Sequence, residues 1–223
     1  MQIELAREQM IHQQVRAWDV LDERVLQTMR RVPRERFVPT EFSDLAFADV
    51  EVPLGDGQQM LSPQIVGRLL QALTVAAGDR ALEIGTGSGY VSACLAGLGA
   101  SVRTLEINSR LAVAARANLE RCQVAHVDVI NADAFADGAL NDLRDGAQGF
   151  DVIAVTGSLP LYDPRFQQAL KPGGRLFVVI GIRPIMQARL ITRVSDNEWR
   201  DESLFETVLP ELHNAPHPPA FTF

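Results

Sequence analysis

Short runs of apolar residues alternate with helical stretches along the second and last thirds of the chain. Five of these runs are bounded by glycine, proline or polar residues, and they lie at 81–84, 100–105, 127–131, 150–155 and 176–181. Apolar runs of this length are typical of strands buried on both faces of a parallel sheet, with the helical stretches as crossover connections. The pattern predicts an α/β fold, in which a doubly wound, mostly parallel sheet carries helices on both faces.

Both ends of the chain differ from this middle part. Two more apolar runs, 188–194 and 204–209, are close enough in sequence to predict an antiparallel hairpin, which brings the sheet to seven strands. Residues 1–75 show helical periodicity and a stretch rich in proline and glycine, so we predict an N-terminal helical extension ahead of a core at 76–210. The proline-rich tail, 211–223, is predicted to be extended or disordered.

The most informative motif is a glycine-rich loop after the first strand, with the sequence E-I-G-T-G-S-G at 83–89. Glycines let the backbone turn tightly and let a ligand lie against bare peptide N–H groups at the start of the next helix. A dinucleotide fingerprint, G-x-G-x-x-G, would require glycine where Tyr90 stands, so the spacing disfavours a nicotinamide cofactor. The motif resembles the S-adenosylmethionine loop of Rossmann-like methyltransferases. That resemblance implies a cofactor site that includes Glu83, Gly85, Thr86, Gly87, Ser88 and Gly89.

Two acidic residues stand at the ends of the next strands. Glu106, followed by Ile107, ends the second strand, where its carboxylate can accept both ribose hydroxyls. Asp133, followed by Ala134, comes after the third strand, where the adenine would lie. Taken alone, Glu106 is equally consistent with a solvated loop acid or with a partner of Asn108 at the start of a helix. Taken alone, Asp133 is consistent with a helix N-cap. Their order on successive strand ends favours the cofactor site.

Composition excludes several other classes. The 223 residues carry a net charge of −7, which argues against a nucleic-acid-binding surface. No run of about 18 apolar residues is present, and the N-terminus lacks the pattern of a signal peptide. Two cysteines, Cys94 and Cys122, resemble buried helical residues more than a disulfide, and four scattered histidines suggest no metal site. We expect a cytoplasmic monomer without a membrane or nucleic-acid partner.

The segment before the glycine loop narrows the family. It contains V-P-R-E-R-F-V-P at 32–39 and G-D-G-Q at 55–58, and this order resembles the protein-L-isoaspartate (D-aspartate) O-methyltransferases from about residue 10 to residue 209. The resemblance implies a seven-stranded Rossmann-like methyltransferase sheet with a substrate-side N-terminal extension. It also implies that S-adenosylmethionine methylates the α-carboxylate of isoaspartyl residues in damaged proteins. A carboxylate has a pKa near ~4, so it needs no general base, and catalysis rests on alignment.

The acceptor region departs from the family. The usual T-I-S after G-x-G-Q is replaced by Gln59-Met60-Leu61, with Ser62 one residue late, and the usual V-T-A-A is replaced by V-T-G-S at 155–158. We expect the acceptor site at Gln59, Leu61, Ser62 and Thr156. Either Gln59, Ser62 and Ser158 replace the lost hydroxyl contact, or the acceptor has changed. Three functions stay open: isoaspartyl repair, methylation of another carboxylate or small polar acceptor, and S-adenosylmethionine binding without turnover.

Overall fold

The computed structural model describes residues 2–143 and 149–219. Two short strands come first in the chain and form an antiparallel hairpin, β1 (Val52–Gly55) and β2 (Gln58–Met60). Seven later strands form the main sheet: β3 (Arg80–Ile84), β4 (Ser101–Glu106), β5 (Val127–Asn131), β6 (Phe150–Leu159), β7 (Leu170–Ile182), β8 (Ile185–Ser195) and β9 (Glu198–Glu206). Their order across the sheet is β5-β4-β3-β6-β7-β8-β9.

The helices precede, separate or flank these strands. They are α1 (Gln2–Met10), α2 (Glu23–Arg31), α3 (Pro63–Leu73), α4 (Tyr90–Gly97), α5 (Ser109–Arg121), α6 (Ala139–Asp142) and α7 (Pro164–Gln168). Local chemistry sets several of their starts. Asp22 caps α2, Asn108 caps α5 by accepting from two backbone N–H groups, and α3 begins at Pro63. In the part of the chain that the structure describes, no helix has the length and apolar character that a bilayer crossing requires.

The predicted seven-stranded, mostly parallel sheet is confirmed. Strands β3 to β7 run parallel, and β8 and β9 complete the sheet as antiparallel neighbours. In register, Ile84 lies beside Leu105 of β4 and Val155 of β6, and Glu106 lies beside Asn131 of β5. The carboxyl ends of four strands therefore meet at one edge, where ligands bind in open α/β sheets.

The predicted N-terminal helical extension is present and shares the core of the sheet. One hydrophobic cluster runs from Ile11 and Met29 through Leu69 of α3 to Val102 and Phe177 in the sheet, all of them buried. The helical extension, which includes α3, is therefore packed against the same side of the sheet as α4. A domain boundary near residue 75 stays a prediction.

The last strand was placed too late by the sequence pattern. We expected it at 204–209, whereas β9 covers Glu198–Glu206 and pairs with β8 from Glu198 onward. Residues 198–203 are polar and exposed on an edge strand except for the half-buried Trp199, so they carry little apolar signal. The β1–β2 hairpin was not predicted either. Its strands are only 4 and 3 residues long.

Candidate active site

The glycine loop after β3 presents its backbone to solvent-accessible space. Gly85, Gly87 and Gly89 have φ values of +92°, +53° and +87°, in the left-handed region that favours glycine. A Cβ at Gly85 would lie 2.6 Å from Thr156 Oγ1, so no side chain fits there. The side chains of Thr86 and Ser88 are buried. The loop therefore offers peptide groups to a ligand.

A first cavity, of about 390 Å³, opens at the carboxyl ends of β3, β4 and β5. The structure brings five of the predicted cofactor residues into its lining, namely Gly85, Glu106, Ile107, Asp133 and Ala134. The predicted site residues did not include the other seven lining residues. Ile84, Leu105, Ala132 and Phe135 adjoin predicted ones, whereas Gln58, Leu212 and His213 come from the G-D-G-Q motif and the tail.

Glu106 holds the glycine loop from beneath as well as lining the first cavity. It is 5% exposed. Its Oε2 accepts a hydrogen bond from Gly87 N at 2.8 Å, and its Oε1 accepts one from Asn108 N at 2.9 Å. Because a carboxylate has about four acceptor positions, these two bonds leave capacity for a ligand. Glu106 therefore does both things that the sequence analysis considered: it bonds to the backbone of Asn108, and it lines the first cavity.

Asp133 is also held by two protein groups. Its Oδ1 accepts from Phe135 N at 2.8 Å, which is the local turn that an N-cap residue makes. Its Oδ2 accepts from Asn214 Nδ2, also at 2.8 Å. The second contact ties the C-terminal tail to the end of β5.

The tail lies extended against β6 and covers the first cavity. Ser158 N donates to Pro210 O at 2.8 Å, and Leu212 N donates to Ser158 O at 3.1 Å. His213 Nε2 lies 3.1 Å from Gln58 Nε2, so the tail meets the β1–β2 hairpin above the cavity. The tail is extended as far as Leu212 and then turns at His213–Asn214, where Ala215 N donates to Leu212 O at 3.2 Å; residues 220–223 lie outside the described part.

A second cavity, of about 310 Å³, lies on the other side of Gly85. Its lining combines predicted cofactor residues with predicted acceptor residues, namely Glu83, Thr86, Gly87, Ser88, Gln59, Leu61 and Thr156. Ser62 and Ser158 are not in this lining. Ser62 occupies the N-cap position of α3, and Ser158 Oγ donates to Leu209 O at 3.0 Å. Of the three residues proposed to replace the lost hydroxyl, only Gln59 reaches the cavity.

Thr156 is hydrogen-bonded to the glycine loop. Its hydroxyl lies 2.6 Å from Gly85 O and 2.9 Å from Ile84 O, and it donates to these carbonyls. This side chain therefore fixes the loop carbonyl groups while it lines the second cavity.

Glu83 is a fully buried acid in the lining of the second cavity. Its Oε2 accepts from Ser92 Oγ and, at 2.7 Å, from Thr104 Oγ1. Within the described residues, its Oε1 has no hydrogen-bond partner. Burial raises the pKa of Glu83 to about 8, so the group holds its proton at neutral pH.

The raised pKa of Glu83 makes stability depend on pH. Between its ordinary value of 4.5 and about 8, the unfolded chain releases a proton that the native protein keeps, so stability falls as pH rises through this window. Glutamine does not titrate, so we expect Glu83→Gln to remove this fall in stability. The difference in melting temperature, variant minus wild type, should therefore increase from pH 5 to pH 8. The exposed Glu120→Gln is the control, and a constant difference between Glu83→Gln and the wild type would contradict the expectation.

The fold and the two cavities define a Rossmann-like, S-adenosylmethionine-dependent methyltransferase. The sequence model of the protein-L-isoaspartate(D-aspartate) O-methyltransferase family matches residues 5–209. The chain belongs to this family. Its members are S-adenosylmethionine-dependent O-methyltransferases.

Individual relatives agree with this assignment. The chain is 39% identical to the protein-L-isoaspartate O-methyltransferase of Koribacter versatilis over 189 residues, which cover 85% of this chain and 82% of that protein. It is 39% identical to protein-L-isoaspartate O-methyltransferase 2 of Marinobacter nauticus over 198 residues, 88% of each chain. A Plasmodium falciparum protein assigned to the same activity, solved with S-adenosyl-L-homocysteine, superposes with a TM-score of 0.80 at 20% identity, over 92% of this chain and 97% of that one. At that identity the likeness shows the fold.

Proposed function

We propose that the two cavities together hold S-adenosylmethionine and that the chain methylates the α-carboxylate of an isoaspartyl residue in a polypeptide. The observation that carries the proposal is the meeting of the two cavities at Gly85, above a loop that offers only backbone groups. The first cavity would take the adenosine, with Glu106 and Ile107 at the ribose and Asp133 and Ala134 at the adenine. The second would take the methionine part, against Gly85–Gly89 and Glu83.

Two observations test whether these residues fit the cofactor. Gly85 lines both cavities without a side chain, so a ligand that spans them would meet bare backbone there. The Oε1 atom of Glu83 is a buried polar atom without a hydrogen-bond partner among the described residues, and a polar group of the methionine part would supply one. When bound, S-adenosylmethionine supplies an activated methyl group on a sulfonium.

The second cavity suits an acceptor that is already an anion. Its lining contains no lysine, arginine or histidine among the described residues. Glu83 keeps its proton at neutral pH, and burial raises the pKa of the Tyr90 phenol well above its ordinary value. Neither group is therefore an effective base near pH 7. A carboxylate needs none, so Gln59, Leu61 and Thr156 would act by shaping the site and excluding water. A direct role for Ser62 stays a prediction.

The test is methyl transfer from labelled S-adenosylmethionine to an isoaspartyl peptide, measured beside its aspartyl twin. We expect label in the isoaspartyl peptide and none above background in the aspartyl peptide. Binding of S-adenosyl-L-homocysteine is measured on the same sample as a rise in the melting temperature of the protein. NAD serves as the control ligand. Binding without transfer to the isoaspartyl peptide would contradict the proposed acceptor and leave the cofactor assignment standing.

A second candidate function is methylation of a different carboxylate or small polar acceptor. The location of Leu61 favours it, because this apolar side chain lines the second cavity where the family has a serine. This function predicts cofactor binding together with inactivity on the isoaspartyl peptide.

A further inference from the structure

The V-P-R-E-R-F-V-P segment contains a fully buried cation that the proposed function has not used. Arg34 is 0% exposed. In the part of the chain that the structure describes, the neighbouring acid Glu35 pairs with Arg7 at 2.6 Å rather than with Arg34. Burial lowers the pKa of Arg34, yet arginine remains charged in proteins. A charge held in the core without a carboxylate partner is costly, so its contacts call for a physical explanation.

Carbonyl groups and an aromatic ring hold the Arg34 guanidinium. Its Nη2 donates to Leu61 O at 2.7 Å, and its Nε donates to Ala46 O at 2.9 Å. Its Cζ lies 5.0 Å from the centroid of the Tyr90 ring, within the range of a cation–π contact. These carbonyl dipoles and the ring face offset part of the cost of the buried charge, while Nη1 has no hydrogen-bond partner among the described residues.

Two of these contacts involve residues that line the second cavity. Leu61 lies between β2 and α3, at the position where the family has a serine, and Tyr90 is the first residue of α4, directly after the glycine loop. The guanidinium therefore connects the segment of Leu61, on the acceptor side, to the first residue after the glycine loop. The compact ammonium of lysine cannot donate to separate carbonyls and stack on a ring in the same way.

We propose that Arg34 is a positioning residue for methyl transfer, which fixes Leu61 relative to the glycine loop without touching either reactant. The inference rests on the proposed function. A transfer that needs no base depends on the alignment of the acceptor oxygen with the methyl group, and a displacement of about 1 Å can cost about a hundredfold in rate.

The experiment compares Arg34→Lys and Arg34→Met with the wild type. The lysine variant keeps the charge but lacks the planar guanidinium that donates to two carbonyls. The methionine variant removes the buried charge, a change that is often tolerated in protein cores. We expect kcat on an isoaspartyl peptide to fall about ten- to a hundredfold in both variants, while the Kd for S-adenosyl-L-homocysteine stays within about threefold. A merely structural role would lower the melting temperature and leave kcat per folded molecule unchanged.

Arg193→Lys is a matched control. Arg193 also donates to a main-chain carbonyl, that of Leu170, and its Cζ lies 5.8 Å from the Trp199 ring centroid with the side chain 15% exposed. It lines neither the first nor the second cavity. We expect its kcat to equal that of the wild type.

Each other result contradicts the inference in its own way. An unchanged kcat in either folded Arg34 variant, equal losses of kcat and cofactor affinity, or failure of both variants to fold would overturn it. A wild type that binds S-adenosyl-L-homocysteine but does not methylate the peptide would overturn the proposed function, and this inference with it. An active wild type with fully active Arg34 variants would overturn the inference alone.

Discussion

Replacing Leu61 by serine is expected to raise turnover on an isoaspartyl peptide about ten- to a hundredfold. Leu61 is 5% exposed and lines the second cavity, so a hydroxyl there would face the acceptor region. One hydrogen bond to a charged group, made mainly in the transition state, contributes about 1.5–3 kcal/mol, which corresponds to that change in rate. The measurement is kcat with labelled S-adenosylmethionine.

The control for this prediction is Leu61→Ala. Both substitutions remove a buried isobutyl group and each should cost about 2–5 kcal/mol of folding free energy, so assays belong well below the melting temperature. Only serine adds a hydroxyl. If the two variants turn over equally fast, the extra space rather than the hydrogen bond is responsible. If neither methylates the peptide although both bind the cofactor, the chain acts on another acceptor.

Glu106→Ala is expected to weaken S-adenosyl-L-homocysteine binding about 30- to 150-fold, equivalent to about 2–3 kcal/mol. The carboxylate lies in the first cavity and also accepts from Gly87 N, so its loss removes a proposed ribose contact and loosens the glycine loop. Isothermal titration gives the Kd directly. The melting temperature without ligand separates the two contributions, because loosening of the loop lowers it.

Glu120→Ala is the control for this second prediction. Glu120 is an exposed acid on α5, outside both cavities, so its removal changes net charge equally without touching the loop. Equal stabilisation of the wild type and Glu106→Ala by S-adenosyl-L-homocysteine would remove Glu106 from the site.

Much of the fold and of the cofactor region could be predicted because the relevant signals are local. Apolar runs marked the buried strands, and Gly85, Glu106 and Asp133 each stand where such a run ends. The parallel sheet then brings their positions to one edge, and the structure places all three in one cavity. The edge strand β9 was misplaced because its first residues, apart from Trp199, are polar and face solvent.

The remaining parts of the candidate site depend on contacts between segments that are distant in sequence. Leu212 and His213 meet Ser158 and Gln58, and no periodicity in the sequence connects these positions. Arg34 is a similar case, because charged residues are almost never fully buried and its motif gave no sign of burial. The acceptor region was the least predictable: neither Ser62, at the N-cap position of α3, nor Ser158, which donates to Leu209 O, lines the second cavity.

The position of the tail has a consequence for the order in which the protein is made. Synthesis proceeds from the N-terminus, and domains begin to fold while the chain is still growing. All seven strands of the main sheet end by Glu206, whereas the wall of the first cavity is closed only by Leu212 and His213. The seven-stranded sheet can therefore be complete while the first cavity is still open on one side. Under the proposed function, enclosure of the adenosine follows the docking of the tail onto the finished sheet.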